Sequence, residues 1–205
     1  VREEPLHTLA QMFVEILPGE ISPRLIHLQI YTHNDMMSRL LRQKLGPLAS
    51  VVPSLAERVE GRLAFLQGYL HSDDSGSMEM SLDSATKEQG RVSVSAHTHP
   101  RTGRVIRSIV SKLSRHAFQT GLMPIWPMLE IGAPGRGFHS GGSLPMGASS
   151  EAKKTATDLL GRPLGLQRVH VVDSSVFPSI PATTITLTAM ANAHRIATEA
   201  AKLDS

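Results

Sequence analysis

Up to about Ile131 the apolar positions of the chain switch between two periods, one suited to a strand and one suited to a helix. The stretch "RLIHLQIY" (Arg24 to Tyr31) is rich in β-formers and predicts a strand. "NDMMSRLLRQKLG" follows, with apolar residues at helical spacing, Asn34 as N-cap and Gly46 as stop, and predicts a helix. "GRLAFLQGYLHSDDSGSMEMSLDS" predicts two strands around the polar turn Ser72 to Ser77, because "DDSG" is a turn former and both flanks carry strand residues. In "GRVSVSAHTH" the residues Val92, Val94 and Ala96 alternate with polar neighbours, as in a half-buried strand. Strands joined in this way predict an antiparallel sheet. "RTGRVIRSIVSKLSRHAFQTG" sets Val105, Ile106, Ile109, Val110, Leu113 and Phe118 on one stripe before Gly121, which predicts an amphipathic helix packed on that sheet. "LMPIWPMLEI" predicts one more strand, confined to an edge by Pro124 and Pro127.

From Ala133 onward Gly, Ser and Pro dominate and the periodicity lapses. A short helical piece, "EAKKTATDLLG", and a strand-like piece, "QRVHVVD", follow. The segment Thr184 to Leu203, rich in Ala and Thr, predicts one long helix entered through "SIPATT". The chain carries no internal repeat and no low-complexity tail, and the whole pattern defines an α+β fold.

Composition narrows the classes without choosing one. A chain of 205 residues can form one or two domains with a sizeable core, and its 4% aromatic content means a core built mainly from Leu, Ile, Val, Ala and Met. The formal charge of +3 is small and dispersed, which argues against nucleic acid as a partner. The absence of cysteine excludes disulfides, thiolate metal sites and Cys nucleophiles. No run of about 18 apolar residues is present, so the sequence predicts no membrane span. "VREEPLHTL" at the N-terminus has neither a signal core nor an initiator Met, so the chain is expected to begin partway through a longer protein. Localisation is not fixed, with a soluble, cytoplasmic setting favoured.

Several stretches imitate sites. "GAPGRG" (Gly132 to Gly137) has its glycines in the wrong order for a dinucleotide fingerprint and reads as a plain loop. His97 and His99, alternating along a strand, would share a face, but no third metal ligand stands at a recognisable spacing. No G-x-S-x-G is present, so a hydrolase elbow has no support. Asp73, Asp74 and Glu79 read as a solvated hairpin, and Ala191 to Arg195, with His194, as an ordinary helix face.

Two C-terminal segments carry more. "FHSGGSLPMG" supplies Phe138, His139, Gly142, Ser143, Met146 and Gly147 in the order aromatic-H-x-x-G-[ST]-x-x-M-G. "VHVVDSSVFPSIPATTITLTAMANAHRIA" supplies Val171, Asp173, Ser174, Ser175, Phe177 and Pro178, then Thr188, Ala191, Ala193 and Arg195 as T-x-x-A-x-A-x-R. Together they resemble the C-terminal signature of the glucose-methanol-choline family of FAD-dependent alcohol oxidoreductases. The resemblance is specific from about Phe138 to Ala197 and compatible upstream, where that family has an antiparallel sheet backed by helices as its substrate domain.

The resemblance implies that residues 1–137 form the substrate domain and 138–205 the segment completing an FAD-binding domain. Oxidising an alcohol by hydride transfer needs a base of near-neutral pKa beside the flavin, and the resemblance gives that role to His139. A lone histidine is more often structural. Small neighbours would let the backbone pass close to a planar cofactor. Asp173 and Ser174 are implied near the ribityl and pyrophosphate side, and Thr184 and Ile185 at the helix start beside the flavin ring, whose developing negative charge a helix N-terminus favours. The plainer reading of that start is a solvent-facing N-cap threonine. The family usually carries Asn or His followed by Pro where this chain has Thr184 and Ile185; Thr184 can hydrogen-bond a substrate oxygen but cannot serve as a base. The family's N-terminal G-x-G-x-x-G region is not in this sequence, so the chain alone is expected to bind FAD weakly or not at all and to be inactive. The expected partners are a small-molecule alcohol and that missing FAD-binding region; the rival reading is a non-catalytic binding module that keeps the substrate-domain fold.

Overall fold

A strand with a partner on each edge lies in the middle of a sheet, and the β-formers after Arg24 occupy such a place. In the computed structural model, which describes residues 10, 12–32, 39, 43, 46, 62–83, 91–137, 139–147 and 156–203, they form β2 (Ile26–Thr32) between β1 (Met12–Ile16) and β3 (Ala64–Tyr69). All three run antiparallel, with Glu15 opposite His27 on one flank and Gln29 opposite Gln67 on the other. Ile26, Leu28 and Ile30 are buried on one face of β2, and His27 and Gln29 on the other. On that second face His27 stacks on Phe13 at 5.3 Å between ring centroids, and Tyr31 donates to Gln29 Oε1 at 2.6 Å. The expected helix from Asn34 to Gly46 lies, apart from isolated positions, outside the described residues, as do Phe138 and residues 151–155.

The chain divides by its internal contacts into two units, one of Val1–Ile16 with Ile26–Tyr69 and the other of Leu17–Leu25 with Leu70–Ser205. The second contains the antiparallel ribbon of β4 (Ser77–Asp83) and β5 (Arg91–His97), then helix α1 (Thr102–Arg115), the one-turn α2 (Ala117–Thr120) and the long α3 (Thr186–Ala201). Small antiparallel sheets with helices make this an α+β fold, as the sequence pattern predicts.

Several local expectations need correction. The strands flanking "HSDDSGS" exist but do not pair with each other: β3 joins β2, β4 joins β5, and a 3-10 turn at Ser72–Asp74 replaces the hairpin. Asp74 there is 0% exposed rather than solvated, because its carboxylate faces Ser22 and Arg101. β5 is exposed on both faces, so its alternation does not mark a buried side; Val92, Val94 and Ala96 sit opposite Leu82, Met80 and Met78 on one open apolar face. Phe118 leaves the stripe of α1 and is 98% exposed, since the helix breaks at His116 and restarts out of phase. "LMPIWPMLEI" holds a 3-10 turn at Trp126–Met128, with Pro127 fixing φ, and not a strand. The described part of "EAKKTATDLLG" is no helix but an isolated bridge at Thr157 followed by a turn, because the Asp158 carboxylate takes the main-chain N–H of Leu160 and Arg162 and Gly161 adopts φ +68. "QRVHVVD" makes no strand; Val171 N donates to Gly161 O at 2.9 Å, and a Cβ at Gly161 would overlap the Val171 carbonyl.

Candidate functional site

The glycines of "HSGGS" permit an approach that side chains would forbid. The loop runs beside Ser174–Val176 as a hydrogen-bonded pair of segments: Gly142 N donates to Ser174 O at 3.1 Å, Leu144 N to Ser175 O at 2.9 Å and Met146 N to Val176 O at 2.8 Å. Ser174 Oγ returns a bond to Ser140 O at 2.8 Å, directly after His139. Gly142 takes φ +76, a conformation that L side chains rarely adopt. His139 itself is half-buried at the head of this paired stretch.

Asp173 opens the opposing segment. Its carboxylate accepts from Ser175 N at 2.9 Å and so caps the 3-10 turn Ser174–Val176. Hydrogen bonds from the side chain and main chain of Ser175 hold its carboxyl below the usual aspartate range, which keeps it ionised. Beneath the loops Val176, Phe177, Ile180 and Ile185 form one buried apolar cluster, with Met146, Val171 and Ala189 packed against it. Ile185 belongs both to this cluster and to the start of α3, where it is the N-cap.

That helix start is chemically open. Ile185 has no side-chain acceptor, no side-chain cap is formed, and no acidic residue stands in the first turn. The free N–H groups of the first turn therefore keep their partial positive charge. Thr184, Thr186, Leu187 and Thr188 are exposed around it. The plainer reading, a threonine N-cap, does not hold: Thr184 precedes the cap residue and leaves the turn uncapped.

The structure gathers the His139 loop, Asp173, Ser174 and Ile185 around one core, with Thr184 next to Ile185 in the chain. It also gives contacts to residues outside the expected site set. Arg195 leaves its helix face and donates from Nη2 to Leu159 O at 2.7 Å and to Asn192 Oδ1 at 2.9 Å, with Met146 Sδ at 3.8 Å. Its place in the helix motif was the available signal. Ser72 and Ile180 also belong to the frame, and nothing in their local sequence marks them. Of the imitating sites, His97 contacts Ser95 Oγ at 3.2 Å and Glu79 at 3.4 Å, and β5 ends before His99, which accepts from Arg101 N. Among the described residues no group of three or more His, Asp or Glu could hold a metal ion.

A family model described as GMC oxidoreductase matches residues 73–193, more than half of the 205-residue chain, and the chain belongs to that family as a C-terminal part. No curated protein and no solved structure matches it.

Proposed function

We propose that the chain is the C-terminal portion of a flavin-dependent alcohol oxidoreductase, with residues 1–137 on the substrate side and 138–205 completing the FAD-binding domain. The supporting observation is the common core: the loop that carries His139 and the helix that starts after Thr184 rest on the same apolar cluster. The partners are a small-molecule alcohol and an N-terminal FAD-binding region.

The residues present fit FAD. An uncapped start of a 16-residue helix, free of acidic side chains, suits a group that gains negative charge, and ionised Asp173 with the Ser174 hydroxyl suits sugar-like hydroxyls. Asp173, Ser174, Thr184 and Ile185 would hold the cofactor, which when bound supplies the hydride acceptor. His139 takes the alcohol's hydroxyl proton on a ring nitrogen as the carbon–hydrogen bond breaks. Thr184, which cannot be a base, orients the substrate oxygen by a hydrogen bond. The paired glycine backbone fixes His139 and keeps bulk away from the reacting centre.

The test is anaerobic stopped-flow reduction of the flavin by a panel of alcohols, in the protein expressed from its whole coding sequence. His139→Gln is expected to slow reduction by about a hundredfold or more with FAD content unchanged. Wild-type reduction in that variant removes His139 from the mechanism, and bound FAD that no alcohol reduces leaves the non-catalytic module.

A further inference from the structure

The 3-10 turn Ser72–Asp74 contains a carboxylate with no exposure and a serine bonded across more than a hundred residues, and neither fact is explained by turn formation alone. Ser72 grips Ile180 with both of its polar groups: its N–H donates to Ile180 O at 2.9 Å, and Ile180 N donates to Ser72 Oγ at 3.0 Å. Ile180 is nearly buried in the cluster that contains Ile185, and its Cδ1 fills the space that a Cβ on Gly141 would need. The turn thus touches the residue that sits between the His139 loop and the start of α3.

On its other side the turn is held from two segments. Ser22 Oγ donates to Asp74 Oδ2 at 2.5 Å, and Arg101 Nε stands 3.4 Å from Oδ1. Thr102 Oγ1 donates to Asp74 O at 2.5 Å, and Arg101 Nη2 to Asp73 O at 3.0 Å. Arg24 closes an ion pair with Asp73 at 2.7 Å. The buried carboxylate has one hydrogen-bond donor, Ser22, and one ion-pair partner, Arg101, so its place in the turn depends on both. Segment 17–25 and the N-terminus of α1 are tied through it to Ile180.

We propose that Ser72 is a positioning residue, which, through Ile180, sets the His139 loop and the first turn of α3 at the spacing the reaction needs, and that Asp74 anchors Ser72. The inference rests on the functional reading given above. Ser72 touches no reacting atom and acts only through Ile180. Removing its hydroxyl leaves Ile180 N without its acceptor and frees the loop to drift, and small misplacements of catalytic groups carry large rate penalties.

The experiment uses the FAD-bound protein from the whole coding sequence and compares wild type, Ser72→Ala, Ser72→Thr and His139→Gln. Amide hydrogen exchange in Ser72→Ala should quicken about tenfold at Gly142, Leu144, Met146 and Ala189, the factor a lost hydrogen bond to a buried group carries, and stay unchanged in α1 and β4. The limiting rate of flavin reduction should fall about tenfold while the apparent dissociation constant of the alcohol holds, and Ser72→Thr should restore both readouts. Unchanged exchange at those amides, exchange raised equally in α1 and β4, or an unchanged reduction rate overturns the proposal. Where Ser72→Ala does not fold, Ile180→Val, which trims the methyl against Gly141, carries the same test. Normal reduction in His139→Gln defeats the functional reading instead, whatever Ser72→Ala does.

Discussion

Gly141 lies so close to the main chain of Ser174 that a Cβ at position 141 would overlap the Ser174 carbonyl oxygen and stand 2.5 Å from Ile180 Cδ1. The oxygen is backbone and cannot swing aside, so the pairing of the two motif segments requires glycine here for space. Gly141→Ala is expected to destabilise the chain by about 1–3 kcal/mol, the usual cost of overpacking. Gly132→Ala, whose added Cβ would meet only Arg136 Cβ at 3.7 Å, should stay near wild type. Urea unfolding of both variants checks this; equal midpoints would mean that the segments part freely.

The two motif segments could be read from the sequence because their chemistry is local: a glycine run with one histidine, and Asp-Ser-Ser before Phe-Pro. Helix α3 was legible in the same way, from length and composition, to within two residues at each end. Strands β2 to β5 were legible as strands, but their partners were not. β3 and β4 flank one turn and still join different sheets, since pairing depends on distant segments and a turn former does not settle it. Asp74 was misread for a related reason. Its burial comes from Ser22 and Arg101, 52 and 27 positions away, and a window around "DDSG" contains neither. Ser72 and Ile180, 108 positions apart, were invisible on the same ground.

Asp158 sets an acid limit on the C-terminal unit. Partial burial pushes its carboxyl up, but hydrogen bonds from the main chain and guanidinium of Arg162 and from Leu160 N outweigh that, and the folded value falls below the ordinary 3.8. A depressed folded value means the contribution is present in full above the ordinary value and is lost as pH falls through the folded one. Melting temperature should therefore decline below about pH 4. Asp158→Asn, which keeps an oxygen for the N–H donors and removes the charge, should flatten that decline while lowering stability at neutral pH. Parallel acid limbs for the two proteins would show that the Asp158 charge is not what the acid removes.

Arg195 joins α3 to the turn at Leu159, and its bond to the Leu159 carbonyl at 2.7 Å is charge-assisted. Arg195→Ala is expected to cost about 1 kcal/mol, toward the low end for such bonds because the group is exposed. Arg195→Lys should recover only part of this, since an ammonium cannot reproduce the paired Nε and Nη2 bonds to Asn192 Oδ1 while keeping the bond to Leu159 O. Chemical denaturation compares the three, and full recovery by lysine would reduce the contact to charge alone.

The open first turn of α3 separates what stabilises the helix from what the proposed reaction needs. Thr186 is its first residue and is exposed, and a carboxylate there would meet the unpaired N–H groups. Thr186→Asp is therefore expected to raise stability by about 0.3–1 kcal/mol. The same fixed negative charge opposes the build-up of charge on a flavin ring placed at that end, so the midpoint potential of bound FAD should fall and reduction by alcohol should slow. Thermal melting and a redox titration of the FAD-bound protein read the two effects apart. A stabilised variant with an unmoved potential would put the flavin ring away from this helix start and leave the absence of a cap without a functional reason.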